Sequence, residues 1–350
     1  MRRSTTALFA IPLMATLFGC ASSSAPNAAP ASAFPVVGGL TTWSPAFADV
    51  VARDARIERL ADGFTWSEGP AWVADGGHLL FNDVPENTLY RWSEADGLSV
   101  FLSPSGYAGS DTAALREAGA NGLFVEPAGT VLMADSGSRT VERFDPATKR
   151  KTTLARAYEG RRFNSPNDVI RRSDGAIFFT DPPYGLKDLD ASPVKELAFN
   201  GVYRLDTDGS VHLLDDTLSF PNGLALSPDE RTLYVANSDP QRPIWMAYTL
   251  DAAGAVQARR VFADAADLVG DDAPGLPDGM TVAADGTLLA TGPGGVLVFA
   301  PDGTRLGRIE TGGPVSNATF GGADRRTLYM TANDAIARVR LQIAGPATAR

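Results

Sequence analysis

Cysteine occurs once in this chain, at Cys20, and histidine twice, at His78 and His212. A lone cysteine allows no intramolecular disulfide. Two histidines, both inside strand-like runs, argue against a histidine-rich zinc site and against Ser-His-Asp or Cys-His nucleophile machinery. No G-x-S-x-G elbow is present, and no G-x-G-x-x-G opens a helix after a strand. Basic residues are in deficit, 31 Lys and Arg against 41 Asp and Glu. Without a basic cluster, nucleic acid is not expected as a partner. Beyond the first 20 residues no stretch reaches 18 apolar residues, so no further membrane-spanning helix is expected. Chemistry, if present, must come from oxygen ligands and a metal.

What the sequence does have begins at its N-terminus. Arg2 and Arg3 precede an apolar stretch over residues 7–18, the pattern of an export signal. Leu17-Phe18-Gly19-Cys20 then resembles a bacterial lipoprotein processing site, with Cys20 as the lipidated residue. Ala21 after it, rather than Asp, favours sorting to the outer membrane. Residues 1–20 are therefore expected to be a lipoprotein-type signal. Residues 21–45, rich in Ala, Ser and Pro, are expected to be a flexible tether. Residues 46–345 are left for the folded domain. The expected location is the periplasm, with the membrane touched only through the lipid anchor. Losing Arg2 and Arg3 makes the mature charge 29 − 41 = −12.

An oxygen-bearing side chain stands eight residues before a hairpin turn six times over. The pairs are Glu68 with Gly76, Asn121 with Gly129, Asn167 with Gly175, Asn222 with Glu230, Asp278 with Gly286, and Asn317 with Arg325. Five of these share a local pattern: Asn, Asp or Glu, then Gly or Asp, then Leu, Val, Met or Pro. Strand-like runs rich in β-branched and aromatic residues follow each turn, at 78–83, 130–135, 176–181, 231–236, 287–291 and 326–331. Several repeats add a third run, as at 88–92, 140–144 and 201–205. Asp-Gly pairs such as Asp174-Gly175 and Asp285-Gly286 suit tight hairpins that need positive φ.

Successive turns are 53, 46, 55, 56 and 39 residues apart. Repeats of roughly 40–50 residues with several strands each mark a β-propeller. The fold class expected is all-β, a six-bladed β-propeller. No helical periodicity recurs between the strands, which argues against a βαβ sheet. The stretch 55–60 is expected to close the ring by pairing with the last repeat near 336–341.

Equivalent positions in a radial repeat lie on a ring about one axis. Glu68 and Asp278 bring two negative charges to it, and the amide carbonyls of Asn121, Asn167 and Asn222 can add neutral ligands. Such a set suits a divalent metal, Ca²⁺ before Mg²⁺ or Mn²⁺. Equally, polar side chains on such a ring can cap strand entrances or hold channel water. Glycine after four of the ring residues allows close backbone approach to the axis. Three long segments, 104–120, 187–200 and 263–277, are expected over one face. Tyr184, in the rigid turn Asp181-Pro182-Pro183-Tyr184, either lines the pocket or packs.

Taken in order, Trp66-Ser67-Glu68-Gly69-Pro70-Ala71-Trp72, Phe163-Asn164-Ser165-Pro166-Asn167-Asp168, Thr180-Asp181-Pro182-Pro183-Tyr184-Gly185, Phe220-Pro221-Asn222-Gly223-Leu224 and Leu276-Pro277-Asp278-Gly279-Met280 resemble the senescence marker protein/gluconolactonase/luciferin-regenerating enzyme family. The resemblance runs from about Ile57 to Leu341 and is nearest to the bacterial gluconolactonases. It implies metal ligands at Glu68, Asn222 and Asp278, a substrate-facing Asn167, and a proton-accepting role for Asp278. Asn121 joins Asn167 as a substrate-side residue on ring position alone; the resemblance gives neither Asn121 nor Asn317 a role. Animal members carry Arg two residues before the substrate-facing Asn, where this chain has Ser165, so the contacts to sugar hydroxyls are expected to differ.

The implied activity is metal-dependent hydrolysis of a small sugar lactone such as glucono-δ-lactone. The metal acts as Lewis acid and Asp278 as proton acceptor. Two other readings stay open: hydrolysis of another ester or an organophosphate on the same site, and a non-catalytic ligand-binding propeller lipoprotein.

Overall fold

Every expected repeat forms an antiparallel sheet in the computed structural model, which describes Met1, residues 7–8 and residues 33–347. Cys20 and most of the expected signal and tether lie outside the described residues. Blade 1 runs through Ser67–Val73, His78–Asp83, Thr88–Ser93 and Gly97–Leu102. Blade 2 is Leu123–Val125, Val131–Asp135, Thr140–Asp145 and Arg150–Ala155. Blade 3 is Val169–Arg171, Ile177–Asp181, Gly201–Leu205 and Val211–Asp215. Blade 4, with longer outer strands, is Pro221–Leu226, Thr232–Asp239, Arg242–Leu250 and Val256–Asp264. Blade 5 holds Met280–Val282, Leu288–Gly292, Gly295–Phe299 and Arg305–Glu310. Blade 6 holds Asn317–Gly321, Thr327–Ala332 and Ala335–Arg340, and its outermost strand is Ile57–Asp62 from the other end of the chain. The fold is a six-bladed β-propeller.

The second strand of each blade is sandwiched between neighbouring blades. Val131–Asp135, Ile177–Asp181 and Leu288–Gly292 are buried at every position. That explains why these runs are nearly continuously apolar rather than alternating. The spaces between blades are filled by the core. One cluster joins Phe124 and Leu132 of blade 2 to Phe178 and Val202 of blade 3 and to Leu233 and Tyr248 of blade 4. Phe163, Phe179 and Tyr203 meet there with centroids 5.1–5.4 Å apart.

The ring closes as expected. Ile57 pairs with Val339, Glu58 with Arg338 and Arg59 with Ala337, and the Arg338 guanidinium meets Glu58 at 2.7 Å.

The folded domain begins earlier than the expected boundary at residue 46. Gly39–Thr42 adds a fifth strand to blade 5, in register from Gly39 with Glu310 to Thr42 with Gly307. The short helix Phe47–Val50 buries Phe47 and Val50 in the core of blades 5 and 6. Val37 N–H also donates to Ile57 O at 2.9 Å. The physical reason is edge protection, because the outer strand of blade 5 would otherwise present unpaired backbone groups.

Candidate active site

The residues just before three of the ring positions are fixed by a residue near the end of the second strand. Asp83 accepts hydrogen bonds from Thr65 N–H (2.9 Å) and Trp66 N–H (3.1 Å), two residues ahead of Glu68. Asp181 does the same for Asn164 N–H and Ser165 N–H, both at 2.8 Å, ahead of Asn167. Asn237 Oδ1 accepts from Phe220 N–H (2.9 Å) ahead of Asn222. A buried carboxylate accepting two amide hydrogens orients the backbone firmly, each bond being worth about 1.5–3 kcal/mol.

Inter-blade hydrogen bonds then tie ring residues to one another. Gly122 N–H donates to Asn167 O (2.8 Å), Thr180 Oγ1 to Asn222 O (2.7 Å), and Asn82 Nδ2 to Asn121 O (2.7 Å). Glycine is needed where backbones approach closest. A β-carbon on Gly69, at φ +55°, would lie 2.1 Å from Asn121 O, and one on Gly223 would lie 2.3 Å from Asp278 O.

Glu68, Asn121, Asn167, Asn222 and Asp278 all line one cavity of about 790 Å³ at the propeller axis. Asn317 does not. It lines a second cavity of about 750 Å³, formed by residues that follow the ring positions along the inner strands. Asn317 is drawn there by Asp168, to which its side chain is hydrogen-bonded. Asp168 takes the place that glycine holds in four other repeats. Its carboxylate also accepts Val169 N–H (2.9 Å) and Leu224 N–H (3.2 Å), which leaves it knitting strand entrances on the axis. Five of the six ring positions therefore converge and the sixth turns away.

Two of the three long segments reach the cavity. Residues 104–120 contribute Arg116 and Glu117, and residues 263–277 contribute a stretch that includes Val269, Asp271 and Leu276. Residues 187–200 do not line it, contrary to expectation, because they pack instead against residues 216–219 and Arg139, with Asn200 Nδ2 donating to Ser219 O (2.7 Å) and Arg139 Nη1 to Val194 O (2.9 Å). Tyr184 both lines the cavity and packs, stacking on Phe220 at 5.6 Å and 22°. Ser165, where the animal relatives' Arg would stand, is fully buried. Its Oγ donates to Pro182 O (2.6 Å) and accepts Gly185 N–H (2.9 Å).

The electrostatics of the cavity are those of unneutralised carboxylates. Burial pushes Glu68 up from 4.5 to about 8, despite hydrogen bonds from Gly69 N–H (3.1 Å) and Trp66 Nε1 (3.3 Å), with Asp168 and Glu117 adding repulsion. Asp278 is raised well above the usual carboxylate range, by desolvation first, then by repulsion from Glu68 and Asp168. It keeps part of its surface open to the cavity, so the depth of the site rather than protein contact desolvates it. Among the described residues neither carboxyl forms an ion pair with a Lys or Arg. Asn222 Nδ2 donates to Ser238 Oγ (2.9 Å), which frees its carbonyl oxygen for the cavity.

A hard divalent cation fits this donor set. It would meet two carboxylates with no compensating charge, an amide carbonyl held in place from behind, and no sulfur or imidazole. Among the described residues no three His, Cys, Asp or Glu side chains group as a metal cluster, so neutral amide oxygens are needed to complete a site.

Fold and cavity together define a six-bladed propeller whose axis carries a deep, carboxylate- and amide-walled pocket. The family described as SMP-30/Gluconolactonase/LRE-like region matches residues 66–334, and the chain belongs to that family. It is 44% identical over 313 residues to a gluconolactonase of Zymomonas mobilis, covering 88% of each chain. It is 28% identical to a pentonolactonase of Haloferax volcanii, covering 75% of this chain and 80% of that one. Among solved structures, a gluconolactonase from Xanthomonas campestris superimposes with a TM-score of 0.75 at 35% identity, over 89% of this chain and 99% of that one.

Glu117 and Asp168 escaped the sequence reading. Asp168 could have been found as the one acidic residue in the glycine column of the ring pattern. Glu117 had no such signal, since it lies in an aperiodic loop.

Proposed function

We propose that this chain hydrolyses sugar lactones, opening an aldonolactone such as glucono-δ-lactone to the aldonic acid with the help of a divalent metal ion, calcium by preference. The observation that carries the reading is the pair Glu68 and Asp278: two desolvated carboxyls without a basic partner, facing one cavity on a fold shared with gluconolactonases.

Glu68, Asp278 and the Asn222 carbonyl would hold the ion. When bound, it supplies Lewis acidity at the lactone carbonyl, stabilising the negative charge that develops there. The protein's own groups do the rest. The Asp278 carboxylate takes a proton from the attacking water as the new C–O bond forms. It returns that proton to the ring oxygen as the old C–O bond breaks. Beside a bound ion the Asp278 carboxyl would stay ionised and therefore basic. Asn167 and Asn121, held by the inter-blade hydrogen bonds, orient the lactone and its water. Trp66 Nε1 fixes one Glu68 oxygen. From the sequence alone we also infer export and lipidation at Cys20, which Cys20→Ala tests by release of the protein from the membrane fraction.

The test is acid release from glucono-δ-lactone by the chelator-treated protein, with and without added Ca²⁺. Metal-dependent turnover that disappears in Asp278→Ala supports the reading. Turnover confined to aryl esters or aryl phosphates would move the substrate class, and none at all would remove the enzymatic assignment.

A further inference from the structure

Glu117 is a carboxylate that the mechanism above leaves unused. It is nine-tenths buried, it lines the cavity, and it accepts no hydrogen bond from any described side chain or backbone group. Among the described residues its one ion pair is with Arg116, at 3.5 Å and with the guanidinium half exposed. Leaving a carboxylate desolvated and without a donor is costly unless something completes it.

Its position is rigidly set. Arg116 N–H and Glu117 N–H both approach Gly185 O, at 2.9 and 3.4 Å, and Lys187 N–H donates to Ala114 O at 3.0 Å. On the other side of Glu117, Tyr107 N–H donates to Ala118 O (2.8 Å) and Gly119 N–H to Val84 O (2.9 Å). The loop is thereby clamped to blades 1 and 3, and Glu117 is presented without freedom to withdraw. The repulsion that Asp278 receives from Glu117 ranks below that from Glu68 and Asp168. Glu117 stands on the cavity wall in the connection between blades 1 and 2, apart from the strand entrances that carry Glu68 and Asp278. Arg116 is the only Lys or Arg among the described residues lining the cavity, while Ser165 is turned into the core.

We propose that Glu117, paired with Arg116, reads the hydroxyl groups of the lactone away from its carbonyl, and so selects polyhydroxylated sugar lactones over unsubstituted ones. An ionised carboxylate offers acceptors only, and a sugar ring offers several O–H donors; the adjacent guanidinium supplies donors for the hydroxyl oxygens. A site built this way penalises any lactone lacking hydroxyls, because Glu117 then stays buried without a donor. The inference rests on the lactonase reading, but its test does not depend on turnover alone.

The experiment compares the full chain with Glu117→Gln and Glu117→Leu in two arms. In the first, kcat/KM is measured on glucono-δ-lactone and on δ-valerolactone, the same ring without hydroxyls. Glu117→Leu is expected to lose about 10- to 100-fold more on the sugar lactone than on δ-valerolactone, with Glu117→Gln between. In the second, calorimetry follows binding of 1,5-anhydro-D-glucitol, a hydroxylated ring that cannot be hydrolysed. The wild type is expected to bind it and Glu117→Leu to lose that binding, while thermal midpoint and calcium affinity stay put. Equal losses on both lactones, unchanged preference, or anhydroglucitol binding that survives in Glu117→Leu would overturn the assignment. So would absence of anhydroglucitol binding in the wild type. If no lactone is turned over but anhydroglucitol binding still depends on Glu117, the lactonase reading fails, and with it the selection among lactones, while the hydroxyl-reading role of Glu117 stands.

Discussion

Removing the metal should make the stability of this propeller fall as pH rises. In the metal-free protein burial lifts Glu68 from an ordinary 4.5 to about 8, and Asp278 rises with it. Between those two pH values the folded state holds a proton that the unfolded state has released, so the folded state loses ground as pH increases. The shift, 8 − 4.5 = 3.5, corresponds to on the order of 5 kcal/mol at about 1.36 kcal/mol per pH unit. About 4 kcal/mol of that falls between pH 5 and pH 8.5; a domain of roughly 310 residues unfolds with an entropy of about 0.65 kcal/mol/K, so the midpoint should drop by about 6 °C over that range. Glu117 and Asp168, raised by burial to about 7 and about 6, add a decline of the same sign whether or not metal is bound. The diagnostic quantity is therefore the difference between chelated and calcium-saturated protein, measured by calorimetry across that range. It should be small at pH 5 and largest above pH 8. It should shrink in Glu68→Gln, which has no charge to bury at that position, with the remainder carried by Asp278. A gap between the two forms that stays constant or narrows with pH would refute the reasoning, as would a full-sized gap in Glu68→Gln.

Asp278→Asn should keep the fold and lower kcat by about 10²- to 10⁴-fold, seen in steady-state kinetics at saturating calcium. Glu68→Gln removes one of two charges facing the cation, and calorimetric titration should show calcium bound at least about tenfold more weakly. Gly223→Ala places a methyl 2.3 Å from the Asp278 carbonyl oxygen. It should cost about 1–3 kcal/mol of stability in thermal unfolding and lower kcat/KM by displacing Asp278.

The fold was legible because the propeller repeats its turn chemistry and its burial. Second strands such as His78–Asp83 are compressed on both faces, and they announce themselves as apolar runs before polar ends. The ring residues were legible for the same reason, standing at one offset in each repeat. Asn317 shows the limit of that logic. Its offset matches, yet Asp168 across the axis offers it a carboxylate, and one hydrogen bond draws it from the shared cavity. Gly39–Thr42 was hidden because a four-residue edge strand has too few residues to show a pattern. Its pairing partner, Arg305–Glu310, lies more than 260 residues away. Glu117 was hidden because its burial is created by a loop folding over Gly185, a contact without sequence periodicity.

The pairing of Ile57 with Val339 spans 339 − 57 = 282 residues. Blades 1 to 5 can each form from neighbouring hairpins as the chain is made, but the sixth must wait for its final strand to emerge. Until then Ile57–Asp62 has no partner and the axial pocket has an open side. Deleting the last strand should consequently yield a gapped, aggregation-prone horseshoe rather than a five-bladed ring, and late synthesis is the step at which this protein is most exposed to proteolysis.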